Sequence, residues 1–128
     1  MTDKVVDASA IVALLFDELT REKIASRLRD ATLSAPILIE YEVANACLKK
    51  IRAAPAERQT LLEAFSLLDS LSISLATVDL DAAIVLAERT KLSLYDASYL
   101  WLARAFGAEL VTLDEKLARA DEDLRGSK

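Results

Sequence analysis

The sequence contains no histidine. Imidazole general-base catalysis, Ser-His-Asp triads and His-ligated zinc are therefore excluded. A single cysteine, Cys47, cannot build a disulfide framework or a thiolate zinc site. With no basic-then-apolar pattern at the N-terminus, it favours a cytoplasmic setting. The only glycines are Gly107 and Gly126, which removes both the dinucleotide-binding fingerprint and the phosphate-cradling loop. No apolar run reaches the roughly 18 residues of a membrane span, so no membrane association is expected.

Carboxylate is what the chain has in quantity. Its 128 residues carry 21 Asp and Glu against 16 Lys and Arg, for a formal charge of −5. At 53% hydrophobic and 29% charged, it reads as one soluble globular domain with a real core. Any catalysis must be carboxylate chemistry, with a hard metal ion held through oxygen.

Hydrophobic patterning places these residues on elements. Lys4–Val6 reads as a short buried strand running into the helix-compatible ASAIVALLF. ELTREKIASRLRDA reads as an amphipathic helix with Leu19, Ile24 and Leu28 inward. TLSAP is a short segment, with Pro36 where a helix would begin. From Ile37 to about Arg52 a helix buries Ile37, Tyr41, Ala44, Leu48 and Ile51. Another helix starts at Pro55, SISLATV alternates as a strand, and helices span Asp79 to about Thr90 and Leu94–Phe106. Gly107 supplies a stop. AELVTLD is a last strand and KLARADEDL a charged helix. Strands separated by helices argue for a mostly parallel central sheet flanked by helices, a three-layer α/β domain over residues 1–128.

In such sheets ligands collect beyond the carboxyl ends of strands. Asp7 stands there after VV, and Asp114 stands there after ELVTL. The competing reading makes each an N-cap for the next helix. Asp96 has the same ambiguity, because Ser93-Leu94-Tyr95-Asp96 has capping-box spacing. Glu42 lies on the flank of its helix beside the apolar stripe, with Asn45 and Lys49; its plainer role would be a pair with a lysine. Ser9, Asn45 and Thr112 are short polar groups close to these acids and suited to orienting a carboxylate. Cys47 and Trp101 read as core, Glu40 as solvated, and Asp79 and Asp81 as caps. Glu115 and Asp121 stay open.

The ordered set VVDASAIVALLF, APILIEYEVANACLKK and LSLYDASYLWLARAFGAELVTLDEKLA resembles the PIN-domain ribonucleases, most closely the VapC-type toxins of prokaryotic toxin–antitoxin pairs. E-V-x-N, then Y-D-A-x-Y, then T-x-D carry the resemblance over nearly the whole chain. It implies an acidic quartet at Asp7, Glu42, Asp96 and Asp114, supported by Ser9, Asn45 and Thr112. It also implies an RNA substrate such as tRNA or rRNA, a cognate antitoxin and a homodimer. The chain ends soon after its last helix, at DEDLRGSK, so the edge strand that often follows in the family is expected to be missing or very short.

This donor set suits phosphodiester hydrolysis with Mg²⁺ or Mn²⁺. Asp7 and Asp96 are assigned as ligands, with Asp114 completing that site or a second one. Glu42 serves as ligand or as acceptor of the water's proton. The net acidity weighs against nucleic acid, but Lys49, Lys50 and Arg52 continue from Glu42, and Arg89, Lys91 and Arg104 flank the Asp96 helix, giving a narrow basic rim. Two other readings compete. One is a non-catalytic acidic interaction module whose acids only cap helices. The other is a phosphatase-like domain with Asp7 as nucleophile, which lacks a second acid two residues on and a lysine after a late strand.

Overall fold

The computed structural model describes residues 2–16 and 19–126. Its sheet has four strands, β1 (Thr2–Val6), β2 (Ala31–Pro36), β3 (Ser74–Ala76) and β4 (Glu109–Val111), in the order β3-β2-β1-β4. Every pairing is parallel, with Val5 opposite Ser34 on one side and Leu110 on the other. The adjacent residues Val5 and Val6 are both fully buried, as are Leu110 and Val111 nearly so. Successive strand residues point to opposite faces, so helices must cover the sheet on both sides.

Seven α-helices do so among the described residues: α1 (Ala8–Leu15), α2 (Arg21–Leu28), α3 (Leu38–Ala53), α4 (Arg58–Ser66), α5 (Leu80–Thr90), α6 (Leu94–Phe106) and α7 (Glu115–Arg125). α6 packs across β1, β2 and β4 and supports α5 and α7, while α1 packs on α2 and α3. α6 is the most deeply buried helix, with Ala97, Leu100 and Leu102 sealed and Tyr99 1% exposed. It ends where Gly107 takes φ +61°, the left-handed turn that glycine adopts without a Cβ penalty.

Three sequence expectations are corrected. TLSAP is strand β2: Leu33 and Ala35 point inward between Thr32 and Ser34. Pro36 closes that strand and does not open a helix. Its missing N–H leaves the ladder to β1 intact, because that ladder ends at Val5–Ser34; on the other side Pro36 is the last residue in register with β3, opposite Ala76. The buried stripe of α3 is Ile39, Val43 and Cys47, not Ile37, Tyr41 and Leu48, which are 52%, 76% and 40% exposed. Both stripes have helical spacing, and the one carrying only compact apolar side chains faces the core. Leu19 is fully exposed ahead of α2, whereas Ile24 is buried as expected. The Glu18 end of the expected helix lies outside the described residues. No strand follows β4 among the described residues; the next element is α7.

The sheet's amino end is tied by charge. Arg27 of α2 donates to Glu109 at 2.8 Å, and Lys4 lies 3.4 Å from the same carboxylate. The Arg27 hydrogen bond holds Glu109 below the usual carboxylate range.

Candidate active site

The order β3-β2-β1-β4 reverses direction at β1. The chain leaves β1 toward β2, and β4 later adds on β1's other side. The crevice beyond the carboxyl ends of β1 and β4 is therefore the switch point where ligands bind in open parallel sheets. Asp7 follows β1 directly, and Thr112 and Asp114 follow β4.

Asp7 is 4% exposed and held by three donors. Its Oδ1 accepts from the Ala10 amide at 3.1 Å and the Ser9 hydroxyl at 2.7 Å, and its Oδ2 accepts from the Thr112 hydroxyl at 2.5 Å. Ser9 accepts from the Leu113 amide at 2.9 Å, and Thr112 from the Asp114 amide at 3.0 Å. The start of α1 and the end of β4 are thus stitched together through two hydroxyls and one carboxylate. Burial raises the Asp7 carboxyl above its ordinary range; the hydroxyls and the Ala10 amide oppose this, and Asp114 adds to it.

Asp114 caps α7 through Oδ1, which accepts from Leu117 at 2.9 Å. Asp96 lies in the first turn of α6, whose N-cap is Ser93, with Ser93 Oγ accepting from the Asp96 amide at 3.1 Å. The capping roles are real, then, but they occupy only part of each acid: one oxygen of Asp114, and the amide of Asp96 together with a carboxyl contact to Ser93. Burial raises the Asp96 carboxyl, and the charges of Asp114 and Asp7 raise it further, while the Ser93 hydroxyl and the Lys116 charge oppose this.

Glu42 reaches in from α3. Its partner is not a lysine: Oε1 accepts from the Tyr99 hydroxyl at 2.5 Å. Burial raises Glu42, with Asp96 and Asp7 adding to the shift, and Tyr99 is pushed far above its ordinary value by burial and by Glu42. Each of the four acids is in electrostatic contact with at least one other, from the starts of α1, α6 and α7 and the first half of α3. Among the described residues no lysine or arginine forms an ion pair with any of them. Neither do three of these carboxyls stand close enough together to form a ready-made ligand group. The caps account for part of that spacing, since Asp7 and Asp114 each turn one oxygen back toward their own helix.

The supporting residues divide. Ser9 and Thr112 bond Asp7 directly, whereas Asn45 is exposed on α3, one turn beyond Glu42, and bonds no acid. Tyr99 is the residue that sequence reasoning missed. Its signal was present, because it stands one helical turn after Asp96 and so on the same side of α6. Asp121, left open from sequence, pairs with Arg125 at 3.1 Å, Glu115 is exposed, and Asp79 caps α5. Cys47 is buried, and Trp101 is half-buried against the hydrophobic core.

A PIN domain family model matches residues 4–123. The chain belongs to the PIN-domain family. Within it, the affinity is to the VapC type: the chain is 35% identical over 119 residues to Ribonuclease VapC3 of Pyrobaculum aerophilum, covering 89% of this chain and 91% of that protein. The PIN fold is shared with the crystal structure of PAE2754 from Pyrobaculum aerophilum at a TM-score of 0.73 and 27% identity, over 96% of this chain and 92% of that one. It is shared too with Mycobacterium tuberculosis VapC20, a Sarcin-Ricin loop cleaving toxin, at a TM-score of 0.65 and 16% identity, over 91% and 94%. At that identity the likeness is one of fold alone. The mostly parallel, three-layer arrangement expected from the sequence is that of this PIN domain, whose four described strands are all parallel.

Proposed function

We propose that this PIN domain is a divalent-metal-dependent endoribonuclease, the toxin of a type II toxin–antitoxin pair. The observation that carries the reading is the coupling of four carboxylates at the switch point, without a neutralising basic side chain in ion-pair contact among the described residues. Crowded acids with raised pKa values favour cations. All-oxygen donors favour a hard ion such as Mg²⁺ or Mn²⁺, so the residues present fit the group in donor chemistry, though they are spaced more widely than a closed ligand set. Asp7, Asp96 and Asp114 would hold it, with Glu42 as a further ligand. When bound, such an ion supplies charge relief for the phosphoryl oxygens and acidifies water.

The chain's own contribution is positioning and proton handling. Ser9, Ala10 and Thr112 lock Asp7 in one orientation and leave one acceptor position on Oδ2. Tyr99 fixes Oε1 of Glu42, so Oε2 is the atom available to accept the proton of the attacking water. A raised pKa makes that carboxylate a better base near neutral pH. The VapC3 ribonuclease relative supports RNA as substrate, and the VapC type supports an antitoxin that occludes the site and a homodimeric, cytoplasmic protein. No helix among the described residues is long and apolar enough to cross a membrane.

Purified protein incubated with a mixed RNA pool tests this. Cleavage should need Mg²⁺ or Mn²⁺, stop with chelator, and fall by about 10²–10³-fold in Asp7→Asn and Asp96→Asn. RNA left intact under every condition would favour the interaction-module reading, in which Asp7 and Asp114 serve only as the helix caps that they also are.

A further inference from the structure

One flank of α3 brings aromatic, amide and cationic side chains together beside Glu42. At about 100° per residue, Leu38, Tyr41, Glu42, Asn45, Lys49 and Arg52 fall within a sector of roughly 100°. From Glu42 the steps are three, four and three residues. An exposed amide and two exposed cations thus lead away from the acids along about 15 Å of helix. Tyr95, the residue before Asp96, meets this flank from α6. Leu38, Tyr41, Glu42, Asn45 and Tyr95 line one cavity of 340 Å³.

Tyr41 is 76% and Tyr95 61% exposed. Among the described residues the side chains of Tyr41, Asn45, Lys49, Arg52 and Tyr95 make no hydrogen bond or ion pair, so all are free for a ligand. Two aromatic faces at one cavity are a stacking site for an unpaired base. A side-chain amide beside them can pair with a base edge. Unpaired cations in line beyond it suit backbone phosphates. A second copy of this chain suits the strip less well, since an apolar self-contact would bury Glu42, Asn45 and Lys49 without partners.

We propose that this flank is a subsite for a single-stranded RNA segment beside the scissile phosphate. One unstacked base enters the cavity between Tyr41 and Tyr95, Asn45 meets its edge, and Lys49 and Arg52 hold the phosphates that follow. The place of the cut rests on the ribonuclease reading; the binding does not.

Fluorescence anisotropy of a labelled mixed-sequence single-stranded 12-mer, with chelator present, separates the two. Tyr41→Ala and Tyr95→Ala should each weaken binding about tenfold, while Tyr41→Phe and Tyr95→Phe bind as the parent does. Lys49→Ala and Arg52→Ala should each reduce the slope of log affinity against log salt by about 0.7. A fully paired RNA hairpin should be indifferent to the tyrosine changes. Unchanged affinity in both alanine variants overturns the proposal. So does a loss that appears only where sedimentation shows a dimer falling apart, which would make the flank a self-contact. If the parent cuts RNA but the variants bind normally, the subsite fails and the ribonuclease stands. If binding follows the expected pattern and nothing is cut, the subsite stands and the ribonuclease fails.

Discussion

Thr112→Val isolates the hydroxyl that joins β4 to Asp7. Thr112 donates to Asp7 Oδ2 and accepts from the Asp114 amide, and both Thr112 and Asp7 are buried, at 8% and 4% exposure. Valine keeps the shape and removes both bonds, together with the longer 3.3 Å contact to the Ser9 hydroxyl. A hydrogen bond to a charged buried group contributes about 1.5–3 kcal/mol, and a neutral one about 1. Burial raises the Asp7 carboxyl, so the folded protein keeps a proton that the unfolded chain releases. The stability due to this group is therefore greatest below the unfolded pKa and is lost as pH rises through the folded one. Thr112 limits that loss by favouring the charged form, and the substitution extends the window upward. We expect Thr112→Val to cost about 2–3 kcal/mol at pH 7.5 and about 1 kcal/mol at pH 4.5, read as urea midpoints of metal-free protein at each pH. Equal losses at the two pH values would show that the hydroxyl does not support an ionised Asp7.

Tyr99→Phe should leave the fold intact at a cost of about 1 kcal/mol. By freeing Glu42 it should lower kcat about tenfold, with KM for RNA unchanged, as steady-state cleavage would measure. Ile39→Ala should cost about 2–5 kcal/mol in denaturant unfolding. Ile37→Ala, two residues away on the exposed side, should stay within about 0.5 kcal/mol; equal costs would restore the stripe expected from sequence. Because burial and mutual charge raise Asp7, Glu42 and Asp96, protons should displace a bound cation above the ordinary carboxylate range. Calorimetric Mn²⁺ titrations from pH 8 to pH 5 should show affinity falling as pH drops.

The acids were legible in the sequence because two independent signals met on them. Asp7 and Asp114 close strands, and Asp96 opens a helix with a capping serine, so the strand–helix alternation alone put them at one edge of a parallel sheet. What the sequence left undecided was whether they were caps or a site. The geometry shows the caps of Asp7 and Asp114 and is compatible with the proposed site, since capping engages only one oxygen of Asp114 and leaves Oδ2 of Asp7 with a free acceptor position. The α3 stripe misled because Ile37–Tyr41–Leu48 and Ile39–Val43–Cys47 share a period, and periodicity cannot say which of two apolar faces meets the sheet. β2 escaped notice because its inward residues, Leu33 and Ala35, offer only one large apolar side chain. Tyr99 was hidden by its ordinary look: a tyrosine in an apolar helix reads as core, and only the tertiary contact with Glu42 reveals the work of its hydroxyl.

In the function proposed above, Asp7, Glu42, Asp96 and Asp114 act as one cation site. Isothermal titration of Mn²⁺ into the parent protein and into Asp96→Asn at pH 7.5 tests it most directly, with Asp121→Asn, which pairs instead with Arg125, as the control. The parent and Asp121→Asn should bind saturably, and Asp96→Asn should lose at least about tenfold in affinity. Binding that is absent in the parent, or unchanged by Asp96→Asn, would contradict it.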